Sequence, residues 1–310
     1  MTRRLGPVAA VDCGTNSTRL LVVDERGTAL TRLMEITRLG QGVDATGRLA
    51  PEAIDRCVSV LERYRAVMDE HGVERARLVA TSAVRDAANG EDFLRAAEQA
   101  SGVVPELLDG ESEGRLSMAG ALSELDASAG PFLVVDIGGG STELMAGSGP
   151  DDPDLAVVSL QLGCVRVTER WLHGDPPAAR ELAEAEAGVG AVLEEAIARH
   201  PRFTEARRLV GLAGTVSTLA ALRSGLVRYD RARVHHAVLS AADVAGWYRT
   251  LAAEPAAARL ARPGMAAGRQ DVIVGGVLVL DAVMARLGLD ECLVSESDIL
   301  DGLAASLVGG

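Results

Sequence analysis

The chain has 310 residues, enough for two domains of about 150 residues each. Its formal net charge of −13 argues against nucleic-acid binding through a broad basic surface, and it means that any polyanionic ligand must be drawn in by local arginines and bound cations. No apolar run reaches the roughly 20 residues that span a bilayer, so no membrane partner is expected, and the scattered Cys13, Cys57, Cys164 and Cys292 fit a reducing, cytoplasmic setting rather than a zinc site or disulfide framework.

The first apolar stretch, Val8 to Val11, is short and runs straight into Asp12, so it reads as a strand and not as a signal peptide. A tight turn follows, then a second strand over 20–23. The segment TRLGQG at 37–42 ends a further strand. Pro51 near a first turn, with Ile54, Val58, Leu61 and Val67 at helical spacing, opens a helix. Residues 77–80 form a strand, and Thr81 to Asp86 is a loop leading into a helix through Phe93, Leu94 and Ala97. Residues 103–108 are a strand, and 111–122 a helix. The polar, turn-rich stretch 123–131 is the expected domain boundary.

The second half repeats the order. A hairpin is followed by a strand over 156–160, a helix from about Thr168, a longer helix over 181–200 and a strand over 209–212. Gly214 to Thr218 opens a helix at the place that Thr81 to Ala83 takes in the first half. Residues 239–251 and 271–287 are expected helices, 292–295 a short strand and 299–308 the last helix. Strands alternating with helices in both halves give an α/β class with twinned domains, 1–125 and 126–310, the terminal helix about 298–310 being free to pack back on the first domain.

Residues 11–20 read VDCGTNSTRL and residues 135–144 read VDIGGGSTEL, six matches in ten at an offset of 124. Each copy is a buried strand ending in Asp, a Gly-rich turn and a second strand. An ordinary hairpin turn would explain one copy, but it needs no carboxylate at a strand end. Two such hairpins facing each other across a cleft would grip phosphate with backbone N–H groups and aim Asp12 and Asp136 at one metal. Asp136 and Glu143 flank the turn Gly138-Gly139-Gly140-Ser141-Thr142, and two carboxylates that close repel unless a cation or shared proton lies between them. Mg2+ is the natural occupant. The first copy carries Arg19 in place of Glu143, which suits a phosphate-gripping loop. Arg85 reads either as a phosphate clamp or as a surface ion-pair partner of Asp86 or Glu91. Cys13 reads as a buried structural thiol, and His235 and His236, with no acidic orienter in sight, as loop or packing residues.

The ordered run VDCGTNS, TRLGQG, ATSAVRDAAN, GESEGR, VDIGGGSTE, LGCVRVTE, GLAGTVSTLA and GRQDVIVGG resembles the exopolyphosphatase and guanosine pentaphosphatase (Ppx/GppA) family over essentially the whole chain. The resemblance implies two duplicated RNase H-like domains of the actin-like, sugar-kinase and Hsp70 ATPase fold, with an inter-domain cleft. It also implies a role for Glu113. By position alone a Glu in a first helical turn is a helix-dipole partner. The family pattern here is Glu-Glu-Ala-Arg with the second Glu as base, and Glu111, Glu113 and Arg115 keep that frame while Ser112 and Gly114 depart from it. Asp136 and Glu143 match metal and catalytic positions, and Asp12 is a further metal candidate. Gly14, Thr15, Asn16, Ser17, Arg19 and Arg85, with residues 138–142, are the expected phosphate contacts. Gly214 and Thr215 resemble the loop that meets a nucleoside or distal phosphates in the wider fold, or else form a simple strand-to-helix cap.

The expected activity is Mg2+-dependent hydrolysis of the terminal phosphoanhydride of polyphosphate, with K+ as a further candidate cation. Guanosine pentaphosphate 5′-phosphatase activity, a kinase of the same fold and a non-catalytic polyphosphate or alarmone sensor are the alternatives. The absence of the added C-terminal region of longer relatives leads to the expectation of short-chain substrates. The apolar segment 271–287 leads to the expectation of a homodimer.

Overall fold

The computed structural model describes residues 6–308 and divides into two compact units. Unit 1 is the chain up to Gly120 together with Ile299 onward, and unit 2 is Ala121–Asp298. Residues 1–5 and 309–310, the outer ends of the expected domains, lie outside the described residues.

Unit 1 carries β1 (Val8–Cys13), β2 (Ser17–Val23), β3 (Ala29–Ile36), β4 (Arg75–Ala80) and β5 (Pro105–Leu107) in the order β3-β2-β1-β4-β5. The first three strands pair antiparallel, and β4 and β5 continue parallel from β1. β1 is buried on both faces, which is why its sequence is continuously apolar up to Asp12. Its side chains alternate between two cores. Ala9 and Val11 pack with Leu61 of the helix Pro51–Glu70 and Phe93 of the helix Gly90–Ser101. Val8 and Ala10 pack with Leu300 and Leu303 of the terminal helix Ile299–Val308. Gly302 lets the same helix approach the helix Gly110–Leu122 closely, because a Cβ there would stand 2.2 Å from the Leu116 carbonyl oxygen.

Unit 2 carries β6 (Phe132–Ile137), β7 (Thr142–Gly147), β8 (Ala156–Leu160), β9 (Arg208–Leu212), β10 (Val238–Ser240) and β11 (Glu291–Val294). The order β8-β7-β6-β9-β11 reproduces that of unit 1 with the same strand senses, and β10 adds an antiparallel edge. Both sheets thus have the RNase H-like arrangement, and the α/β class is as expected. No helix among the described residues is long and apolar enough to cross a membrane.

Three expected elements differ. The helix expected from about Thr168 begins at Cys164, because loop carbonyls receive its first N–H groups. Segment 239–251 splits into β10 and a helix starting at Ala241, where Ser240 and Asp243 form a reciprocal cap that resets the chain direction. The strand before TRLGQG stops at Ile36, and Thr37 to Gly40 turn inward to bond the first Gly-rich loop. The apolar helix Ile273–Leu287, which pointed to a homodimer, has Ile273 to Leu280 buried inside the unit 2 core. Its hydrophobicity is therefore accounted for within one chain.

Candidate active site

The two Gly-rich loops have the same geometry. Gly14 N–H donates to the Ser17 carbonyl and Gly138 N–H to the Ser141 carbonyl, each at 3.0 Å. Each loop is braced by a Leu-Gly pair downstream. In unit 2 the N–H groups of Gly163, Cys164 and Val165 donate to the carbonyls of Gly140, Gly138 and Gly139 at 2.9–3.1 Å. A trans peptide points its N–H opposite its C=O, so the N–H groups of Gly139, Gly140 and Ser141 project away from that helix start. In unit 1 Gly40 N–H donates to Thr15 O at 2.8 Å, and Thr37 and Arg38 donate to Asn16 O. The N–H groups of Asn16 and Ser17 are turned outward in the same way. Such rows of N–H groups form concavities for anions. The brace went unnoticed in the sequence, although Leu39-Gly40 and Leu162-Gly163 repeat at nearly the spacing of the main motif.

Thr142, expected on phosphate, is placed elsewhere. It is fully buried and its hydroxyl donates to Leu162 O at 2.5 Å, so it ties the brace to the hairpin.

Asp136 and Glu143 are register partners across β6 and β7, so their side chains share one face of the sheet. Both are buried, and Ser159 on β8 donates to Glu143 Oε1 at 2.6 Å. The equivalent pair in unit 1 is Asp12 and Arg19, where the guanidinium grips Asp12 Oδ2 through Nε at 3.0 Å and Nη2 at 2.6 Å. Asp12, a metal candidate, and Arg19, a phosphate candidate, are thus engaged with each other. One copy has its carboxylate compensated by an arginine, while the other sets two carboxylates side by side. That donor set, two adjacent carboxylates with hard oxygens, fits a divalent cation in unit 2. Among the described residues no cluster of three or more His, Cys, Asp or Glu is arranged around a metal position. A cation there would complete its shell with water and ligand oxygens, as Mg2+ commonly does.

In unit 1, Asp109 caps the helix Gly110–Leu122, its Oδ1 accepting Ser112 N–H at 2.7 Å. The cap sets the phase of the first turn. Glu111 then faces solvent and pairs with Arg115 at 3.0 Å, while Glu113 is turned inward and is only 9% exposed. Arg85 Nη1 donates to Leu108 O at 2.7 Å and lies 3.5 Å from Glu113 Oε2. It thus stands beside the expected base.

Thr215 has its side chain buried against Gly276, where a Cβ would stand 2.2 Å from its hydroxyl oxygen. The N-terminus of the helix Ala213–Arg223 therefore offers backbone groups and Gly214 rather than the Thr215 hydroxyl. The Arg269 guanidinium lies directly over Gly214, and Arg166 Nε donates to Gly140 O at 2.7 Å. These two arginines place positive charge beside the unit 2 loops. Sequence reasoning missed them, although both lie inside recognised motifs, because an arginine's direction is not encoded in its spacing.

Cys13 is buried. Its hydrogen bond with Cys57, then burial, raise its thiol well above the ordinary range, which fits a structural role.

His235 does have an acidic neighbour, contrary to the sequence reading. Its Nε2 lies 3.5 Å from Glu124 Oε1, and its Nδ1 accepts Glu296 N–H at 3.0 Å. Burial, then His236 and Arg231, hold its pKa below the ordinary 6.5, with Glu124 opposing. The unfolded chain therefore takes up the proton first, and this contribution to stability is present above about pH 6.5 and lost as pH falls through the lowered folded value. His235→Asn, whose Oδ1 can still accept the Glu296 N–H, should show a flatter decline of urea midpoint from pH 7.5 to 5.5. Parallel slopes for the two proteins would refute the assignment.

Residues 21–309 match the Ppx/GppA phosphatase family. Exopolyphosphatase 2 of Mycobacterium tuberculosis is 43% identical over 318 residues, taking in 97% of this chain and 98% of that one. A solved structure described as an exopolyphosphatase-like protein superposes with a TM-score of 0.92 at 36% identity, covering 98% of this chain and 99% of that one. The Aquifex aeolicus member of the Ppx/GppA family superposes with a TM-score of 0.79 at 31% identity, covering 98% of both chains.

Proposed function

The chain belongs to the Ppx/GppA phosphatase family, and from that premise we propose that it is an exopolyphosphatase, a hydrolase that releases orthophosphate from the end of inorganic polyphosphate. The observation that carries this reading is the unit 2 arrangement, in which outward N–H groups at 139–141 adjoin the side-by-side carboxylates of Asp136 and Glu143.

Asp136 and Glu143 would hold Mg2+, which would neutralise charge on the scissile phosphoryl group. The N–H groups of Gly139, Gly140 and Ser141 donate to phosphate oxygens; in unit 1, taken by itself, those of Asn16 and Ser17 form a second row of the same kind. Arg166 and Arg269 supply positive charge beside the unit 2 loops, which matters for a polyanionic substrate in a chain of net charge −13. Glu113 accepts the proton from the attacking water. The new P–O bond forms at the terminal phosphorus, and the bridging oxygen leaves with its electron pair on the shortened chain. Positioning and charge stabilisation supply most of such catalysis. Guanosine pentaphosphate carries the same kind of terminal phosphoanhydride and is the alternative substrate for these groups.

The test is orthophosphate release by purified protein from short polyphosphate, long polyphosphate, guanosine pentaphosphate and ATP, with Mg2+ and after EDTA. Fastest release from polyphosphate is expected, abolished by EDTA and restored by Mg2+. Fastest release from guanosine pentaphosphate would change the substrate. Release from none, with polyphosphate still bound, would replace the hydrolase by a sensor.

A further inference from the structure

Glu143 is held by a residue outside every recognised motif. Ser159 is its register partner on β8, just as Asp136 is its register partner on β6. Asp136, Glu143 and Ser159 therefore form one row across three strands, on one face of the sheet. The Ser159 hydroxyl donates to Glu143 Oε1 at 2.6 Å, within the range of charge-assisted O–H···O⁻ bonds. Glu143 is 1% exposed, so its carboxylate depends on protein partners for its orientation. The duplication supplies an internal control. In unit 1 the residue in register with Arg19 on β3 is Met34, whose side chain has no hydrogen-bond donor. The hydroxyl is found in the copy that carries a glutamate and is absent from the copy that carries an arginine.

We propose that Ser159 is a positioning residue for Glu143, fixing the plane of its carboxylate so that Glu143 and Asp136 together present oxygens to one divalent cation. This rests on the reading of Glu143 as a cation ligand. Ser159 itself touches neither the ion nor the substrate. Hydrogen-bond partners of metal ligands typically account for about 10–100-fold in metal affinity, and Ser159 is assigned that share here. A threonine retains the hydroxyl and suits a strand, so Ser159→Thr keeps the function that Ser159→Ala removes.

The experiment measures binding of Mn2+ alone, without substrate, from the EPR signal of the free ion. It uses the wild type, Ser159→Ala, Ser159→Thr and Glu143→Gln, with urea unfolding of each as a check on the fold. The expected result is a Mn2+ dissociation constant raised about 10–100-fold in Ser159→Ala and near wild type in Ser159→Thr. The Mg2+ concentration for half-maximal phosphate release should shift in the same direction. Wild-type affinity in Ser159→Ala together with weak binding in Glu143→Gln would overturn the proposal and leave Glu143 as a ligand. Wild-type affinity in Glu143→Gln would overturn the ligand assignment itself. Equal weakening in Ser159→Ala and Ser159→Thr would show that volume rather than the hydroxyl matters, and would also overturn the proposal.

Discussion

Replacing Glu113 with glutamine is expected to slow phosphate release by a factor on the order of 10²–10⁴, the usual worth of a general base, while leaving substrate affinity and folding close to wild type. Glutamine keeps the shape of the side chain but cannot take the proton from water at neutral pH. The surroundings should tolerate the loss of charge. Arg85, the cation 3.5 Å from Glu113, is separately anchored by the Leu108 carbonyl at 2.7 Å. The helix start is held by Asp109, which the substitution does not touch. Glu111→Gln is the matched control. Glu111 is exposed and pairs with Arg115 on the surface, where such a pair contributes on the order of 0–1 kcal/mol or less. Turnover within about twofold of wild type is expected for it. Near-normal turnover in Glu113→Gln, or equal losses in the two variants, would sink the base assignment.

Gly163→Ala should come next in severity. A Cβ on Gly163 would lie 2.0 Å from the Gly139 carbonyl oxygen and 2.4 Å from the Gly140 nitrogen. These are backbone atoms of the phosphate loop, and no rotamer change can move them aside. Either the helix Cys164–Trp171 retreats, losing the bonds from its first N–H groups to the loop carbonyls, or the loop itself shifts. Overpacking of this kind costs about 1–3 kcal/mol of stability. A loop displaced by an ångström costs on the order of 10² in rate. Gly40→Ala, the counterpart in unit 1, should be milder, because its Cβ would meet the Thr15 side-chain methyl at 2.4 Å and the Ala83 Cβ at 2.8 Å rather than loop backbone. Steady-state rates with urea midpoints for both variants check this order. A Gly163→Ala enzyme as active as wild type would mean that the loop carbonyls do not set the direction of its N–H groups.

The motif VDxGxxST, written twice, determined a great deal by itself. Its local content is a buried strand, a carboxylate at the strand end and a turn rich in glycine, and each is dictated by neighbours in sequence. The α/β alternation was legible for the same reason, since period-2 and period-3.6 patterns are local properties. Element boundaries were less so. Leu239 belongs to a three-residue strand only because Cys292 pairs with it, and the helix at Cys164 starts early only because carbonyls at 138–140 receive its N–H groups.

The partners of the site residues were decided by the tertiary structure. Whether Asp12 faces a metal or an arginine, which glutamate of GESEGR turns inward, and which hydroxyl holds Glu143 all depend on strand register and helix phase. Those are fixed when sheets pair and helices dock, through contacts spanning many residues. Ser159 reaches Glu143 from the next strand, Glu124 reaches His235 from far along the chain, and Arg269 covers Gly214 from a separate segment. Sequence determines which chemical groups are available and roughly where strands turn. The burial of two apolar sheets decides which of those groups meet, because side-chain direction is a consequence of packing and not of spacing.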